Sequence, residues 1–179
     1  MTATVTKQVP PEADRRARGV ALARSALRGD TLAMNDLLDH LIPYVTSICG
    51  PIALTSRQDA VQETLVAVFR GLRHLHEPEA LYGWVRSVAV REAIRVAKQD
   101  ARSNPAELTE VPAVGDPQLA ADIGDVLARL SPEHRAVLVL RDIEGLDEKE
   151  AAAMLGVPEG TVKSRLSRAR AGFRRMWTS

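Results

Sequence analysis

From about Arg15 to Arg102 apolar side chains return at every third or fourth position: Val20, Leu22, Ala26 and Leu27, then Leu37, Leu38, Leu41, Ile42 and Val45, then Val61, Leu65, Val68, Phe69 and Leu72. This interval follows the α-helical turn and lacks the strict alternation of a half-buried strand. It predicts a first helical domain over 15–100. The stripe stops at ARSNPAELTEVPAVGDPQLAA, residues 101–121, where three prolines, a glycine and the acids Glu107, Glu110 and Asp116 predict a flexible acidic linker. A second helical domain is expected over 122–179. Residues 1–14 are polar, contain Pro10-Pro11 and show no helical period, which predicts a disordered tail.

The second unit is punctuated at every boundary. Ser131 offers a side-chain oxygen to free backbone N–H groups, and Pro132 follows where a missing N–H costs nothing, so a helix is expected from Pro132 to about Ile143, closed by Gly145. Asp147 with Glu150 makes a capping-box start for the short helix EAAAML. Gly156, Val157 and Pro158 then force a tight turn before the last helix. At about 100° per residue, Val162, Leu166, Ala169, Phe173 and Trp177 fall on one stripe with Met176 at its margin. Lys163, Ser164, Ser167 and Arg168 point away from it. A short helix, a glycine turn and a longer basic helix form a helix-turn-helix, whose second helix enters the DNA major groove. Thr161, Lys163, Ser164, Arg165, Ser167 and Arg168 are the candidate DNA contacts, with Arg170, Arg174 and Arg175 facing phosphates or solvent.

Composition supports an all-α fold of two small helical domains. The chain is 45% hydrophobic but only 3% aromatic, so aliphatic side chains must fill the core. The net charge of +1 conceals a segregation. Between Pro105 and Glu150 eleven acids face four bases, after which Lys163, Arg165, Arg168, Arg170, Arg174 and Arg175 follow. An earlier basic cluster comprises Arg86, Arg91, Arg95, Lys98 and Arg102. Two basic segments point to two contacts with a polyanion. The single cysteine, Cys49, has no partner for a disulfide or a cysteine zinc site and reads as a small buried residue. His74 and His76 lack the further ligands a metal needs, and no phosphate-binding loop or nucleophile motif is present, so no metal, no cofactor and no enzymatic activity is expected. Nothing resembles a signal peptide, which places the expected location in the cytoplasm, without membrane insertion.

LSPEHRAVLVLRDIEGLDEKEAAAMLGVPEGTVKSRLSRARAGFR, Leu130 to Arg174, resembles the promoter-binding region 4 of bacterial RNA polymerase sigma factors of the extracytoplasmic-function type, in the sigma-70 family. DAVQETLVAVFRGL, Asp59 to Leu72, is similar to region 2.2, and LYGWVRSVAVREAIRVAKQDAR, Leu81 to Arg102, to regions 2.3 and 2.4. The resemblance implies a region 2 domain and a region 4 helix-turn-helix domain that reads the minus-35 element. It implies that Asp59, Gln62 and Glu63 dock on the clamp of the β′ subunit, and that Trp84, Arg86, Arg91, Arg95 and Lys98 serve the melted minus-10 element. Trp84 matches the family's tryptophan in this helix, although a ring of that size more often anchors one helix to another. Arg91 and Arg95 stand where the family commonly has Asn and Asp, and Phe69 where it has Trp, which leaves promoter preference open. The implied partners are core RNA polymerase, through the β′ clamp and the β flap, promoter DNA and an anti-sigma factor. The implied function is promoter-specific initiation in the cytoplasm, at the nucleoid when active. A regulator that never touches polymerase is the alternative, and for it DAVQETLVAVF would be superfluous.

Overall fold

A computed structural model describes residues 12–103 and 117–177. Among them every regular element is helical: α1 (Glu12–Leu27), α2 (Thr31–Ala53), α3 (Arg57–Gly71), α4 (Leu81–Ser103), α5 (Pro117–Ala128), α6 (Pro132–Leu138), α7 (Glu148–Leu155) and α8 (Glu159–Trp177). The boundaries follow from side chains that satisfy free backbone groups. Asp30 accepts the Ala33 N–H at 3.0 Å and starts α2, and Ser131 accepts the His134 N–H at 3.3 Å and starts α6. At α7 the capping box is complete, with Asp147 accepting from Glu150 N–H at 2.8 Å and Glu150 accepting from Asp147 N–H at 2.9 Å. Gly145 and Gly156 both take positive φ, 68° and 64°, which is what lets α6 and α7 end within so few residues.

α2 is the spine of the first bundle. Leu37, Leu41, Val45, Ile48 and Ile52 repeat along one face and are fully buried against α3 and α4. By length and composition the stretch Thr31–His74 is apolar enough to cross a membrane, but those side chains fill the protein's own core. In the second bundle Ala136, Val137 and Leu140 meet Ala151, Val162, Leu166 and Ala169. The two sets join in one continuous cluster, because α6 packs on α2 and α4, and α7 packs on α4.

The join has a polar keystone. Arg135 is only 6% exposed, and its guanidinium donates to three carbonyls: Ile52 at 2.7 Å, Leu127 at 3.2 Å and Leu130 at 2.7 Å. The first belongs to the last turn of α2 and the second to the last turn of α5, so one side chain closes two helices from different bundles. Burial pulls its pKa down to about 10, against the charge of Glu133, and it stays protonated at neutral pH.

Several sequence expectations shift. The helix expected from Pro132 to Ile143 is α-helical to Leu138 and widens to a π turn over Val139–Ile143, with Glu144 N–H donating to Val139 O at 2.9 Å. The wider turn lets the adjacent Val139 and Leu140 both face the core. α4 continues through Ser103 and α5 begins at Pro117, so 101–103 and 117–121 of the expected linker are helical. Residues 104–116 lie outside the described residues, as does the expected tail up to residue 11, with α1 already formed from Glu12.

Arg135→Met is expected to lower the unfolding free energy by about 3 kcal/mol, since it strands carbonyl acceptors in both bundles at once. Urea denaturation followed by far-ultraviolet circular dichroism measures it, and a loss below about 1 kcal/mol would show that the carbonyls find other donors.

Candidate nucleic-acid interface

α8 is set by the turn that precedes it. After Gly156, Pro158 accepts from Thr161 N–H at 2.9 Å and Val162 N–H at 3.2 Å, so the helix is hydrogen-bonded from its first residues. Val162, Leu166, Ala169 and Gly172 are its buried line. The expected stripe through Phe173 and Trp177 departs from this line at its end. Leu130 occupies the space above Gly172, where an added Cβ would sit 3.1 Å from its Cδ2. Phe173 is half-buried, Trp177 is 44% exposed, and the two rings stack at 5.9 Å.

Lys163, Ser167 and Arg168 are exposed and Ser164 half-exposed, all on the arc of α8 opposite its buried line. Thr161 borders that arc, whereas half-buried Arg165 falls between Ala169 and Gly172 of the buried line. Lys163 pairs with Glu148 of α7 at 3.2 Å, Ser164 donates to Thr161 O at 3.1 Å, and Arg170 is held by Asp142. Arg165 acts on Glu133 at the start of α6. Ser167 and Arg168 make no side-chain bond within the protein among the described residues.

α4 presents a second set. Trp84, Arg91, Arg95 and Lys98 share one arc at 100° per residue, whereas Arg86 lies on the other side of the helix. Trp84 is half-buried, and a Cβ on Gly71 would stand 2.9 Å from its ring, so it locks α4 to α3 at a glycine. Arg91 is exposed. Arg95 pairs with Glu92 at 2.7 Å and Glu63 at 2.9 Å; the Glu92 hydrogen bond raises its pKa most, with the charges of both acids adding to it against slight desolvation. Arg86 reaches Glu144 at 2.9 Å and donates to Tyr44 Oη at 3.2 Å, and Lys98 reaches Glu133 at 2.5 Å.

On α3, Asp59, Gln62 and Glu63 are exposed together and line a polar cleft with Ser56, Arg95, Gln99 and Asp100. Gln62 also borders an apolar groove of about 630 Å³ between α2 and α3, whose walls include Ile42, Val61, Leu65, Val66 and the 56%-exposed Phe69. The innermost line of α3 is Ala60, Thr64 and Val68, one position from the expected Val61 and Leu65. Thr64 can be buried because its hydroxyl donates to Ala60 O at 2.7 Å. The groove is a feature the sequence reading missed, although Phe69 in an exposed register was its signal. Cys49 packs beside Thr64, and burial pushes its thiol up to about 11.

The region over residues 120–171 matches the family model described as Sigma-70, region 4. The chain is 35% identical over 129 residues to the ECF RNA polymerase sigma factor SigE of Mycolicibacterium smegmatis, covering 65% of this chain and 50% of that protein. It is 33% identical over 132 residues to the ECF RNA polymerase sigma factor SigM of Mycobacterium tuberculosis, covering 69% of this chain and 67% of that protein. The chain thus spans about half the length of the first relative and two thirds of the second. Its fold is similar to CnrH in complex with the cytosolic domain of CnrY, at 24% identity and a TM-score of 0.61, over 89% of this chain and 96% of the other. It is also similar to the sigma factor RpoE in complex with the anti-sigma factor NepR from Bartonella quintana, at 22% identity and a TM-score of 0.63, over 80% of this chain and 96% of the other.

Burial works against the Glu133 carboxylate, yet the Lys98 hydrogen bond, its own backbone bond and the charges of Lys98 and Arg165 hold its pKa below the usual 4.5. A lowered carboxylate pKa adds stability that is present above the unfolded value and is lost as pH falls through the folded one. Glu133→Gln should therefore be less stable than the parent near neutral pH, with the gap closing as pH falls below the usual 4.5, as measured by urea unfolding across that range. A gap independent of pH would remove the ion pair from the account.

Proposed function

The chain belongs to the extracytoplasmic-function sigma factors of the sigma-70 family, and from that premise we propose that it binds core RNA polymerase and directs promoter-specific transcription initiation. The catalytic step belongs to the polymerase; this chain supplies recognition. In this reading the unit over 15–100 is the region 2 domain, the unit over 122–179 is the region 4 domain, and the protein works in the cytoplasm.

The observation that carries the reading is the outward arc of α8. Lys163, Ser164, Ser167 and Arg168 stand on one side of a helix whose first turn is fixed by a left-handed glycine and by the packing of α7. A helix so presented fits the major groove, where Arg168 can donate two hydrogen bonds to a guanine edge and the hydroxyls can meet bases or phosphates. Thr161 at the margin, and Arg165 reaching out from the side that faces α6, suit backbone contacts that set the register on the minus-35 duplex. Arg91, Arg95 and Lys98 on α4 suit the phosphates of a single strand at the minus-10 element. Trp84, wedged against Gly71 on the same arc, fixes that helix to α3.

Docking on the polymerase clamp is assigned to Asp59, Gln62 and Glu63, and the apolar groove beside Gln62 extends the same surface. Exposed apolar side chains flanked by charge are the composition of an interface centre with its polar rim. The β flap is assigned to the second bundle, and an anti-sigma factor remains an expected partner.

Arg168→Ala should cost about 1–3 kcal/mol in promoter binding and relax preference at one base position, whereas Lys98→Ala should weaken all promoters alike and flatten the salt dependence. In vitro transcription by core enzyme with this protein, across single-base promoter variants and a salt series, measures both. Equal losses on every promoter would abolish the division between reading and positioning residues. Replacing Asp59 and Gln62 together by Ala should reduce retention on immobilised core enzyme by about tenfold or more, in line with loss of a central contact cluster.

A further inference from the structure

We infer that Glu148 is a positioning residue for the α8 contact: its carboxylate holds the Lys163 ammonium off the phosphate backbone and keeps it aimed at base edges. The inference deepens the reading of α8 as the duplex contact and rests on it.

Three observations carry it. Lys163 stands on the outward arc near the amino end of α8, the part of such a helix that meets base edges in the major groove. Its Nζ lies 3.2 Å from Glu148 Oε2. Glu148 sits inside the Asp147–Glu150 capping box, so the backbone that carries the acid is fixed while its carboxylate reaches the arc.

Second, the cations of α8 divide by edge. At 100° per residue Arg170 stands about 20° from Lys163, and it too is met by an acid of a preceding element, Asp142. Arg168, on the other edge, meets no acid among the described residues. An edge whose charges are matched one for one adds little general attraction for a polyanion, so a duplex has to be held there by directed hydrogen bonds.

Third, lysine is a point charge on a flexible stem, and its direction is set by what it meets. One donor on Glu148 leaves the others for acceptors such as guanine O6 and N7. Without the acid, the ammonium is drawn to the nearest phosphate, a contact that strengthens binding and carries no sequence information.

The test uses the full chain and a short fluorescent duplex of randomised sequence, with binding followed by anisotropy across a salt series and the retained duplexes sequenced. Glu148→Gln keeps the shape of the side chain and removes its charge. It should raise affinity for the randomised pool by about threefold at low salt, within what an exposed pair contributes, and steepen the slope of log affinity against log salt by about 0.9, the value of one added phosphate contact. It should also flatten base preference at one position, the same position that Lys163→Gln flattens, and leave the position read by Arg168 sharp. Combining Glu148→Gln with Lys163→Gln should return the salt slope to that of the parent, because the pair is neutral in both proteins. An unchanged slope in Glu148→Gln, a preference lost at a different position or at all positions together, or a combined variant with a shallower slope than the parent would each overturn the positioning role. A parent that retains no duplex would overturn the reading of α8 and this inference with it, whereas a parent that selects a sequence and is matched by Glu148→Gln would overturn the inference alone.

Discussion

A guanidinium buried as deeply as that of Arg135 is tolerable only if its donors meet acceptors, because an uncompensated interior charge costs several kcal/mol. The acceptors here are carbonyls at the ends of two helices, α2 and α5, together with that of Leu130, where the backbone has oxygens left over and the helix dipole is negative. Each side therefore needs the other. The end of α5 must lie beside α6, α6 must lie beside the end of α2, and the second bundle has one seat on the first. The π turn after α6 follows from the same seat, since Val139 and Leu140 must both be covered while Arg135 holds its three bonds.

α4 accepts the consequences. Leu81, Val85, Ala89, Ala93 and Val96 bury against the first bundle, and Val90 and Ala97 turn toward the second. Alanines at 89, 93 and 97 keep the helix narrow enough to be approached from two sides. What is left for solvent is a strip carrying Arg91, Arg95 and Lys98, and the acids of the second bundle reach its edge. The near-zero net charge of the chain thus conceals basic and acidic side chains that pair across the join, Arg86 with Glu144 and Lys98 with Glu133.

Boundaries were legible in the sequence because they are set by backbone chemistry within a few residues. Ser131 before Pro132, Asp147 with Glu150, and the glycines at 145 and 156 each do in the structure what their local spacing requires. Buried lines were legible only to within one residue. In α3 Thr64 reads as polar, yet its bond to the Ala60 carbonyl lets it take the innermost place, which turns Val61 and Leu65 outward to form the groove. In α8 the small Gly172 admits Leu130 and displaces Phe173 from the line. The pairs that join the bundles left no local trace at all. Arg86 with Glu144, Lys98 with Glu133 and Arg135 with Ile52 are far apart in the chain, and a single sequence shows each only as a charge on a helix.

The packing of the bundles sets the two basic arcs apart in a way their composition does not. A ligand shifts a conformational equilibrium only by its differential affinity, and moving a ratio from 1:99 to 99:1 takes about 5.5 kcal/mol. The arc of α8 with Lys163, Ser167 and Arg168 is exposed beside the join, so a ligand that touches only this arc disturbs no contact between the bundles. Arg86, Val90 and Ala97 are covered where the bundles pack, so a ligand that reached them would have to displace those contacts. The Glu63–Arg95 pair, which links the α3 cleft to α4, is too exposed to match them, since surface pairs contribute about 0–1 kcal/mol. The contacts that hold the bundles together are therefore those at the join, Arg135 with Ile52 and Arg86 with Glu144 above all.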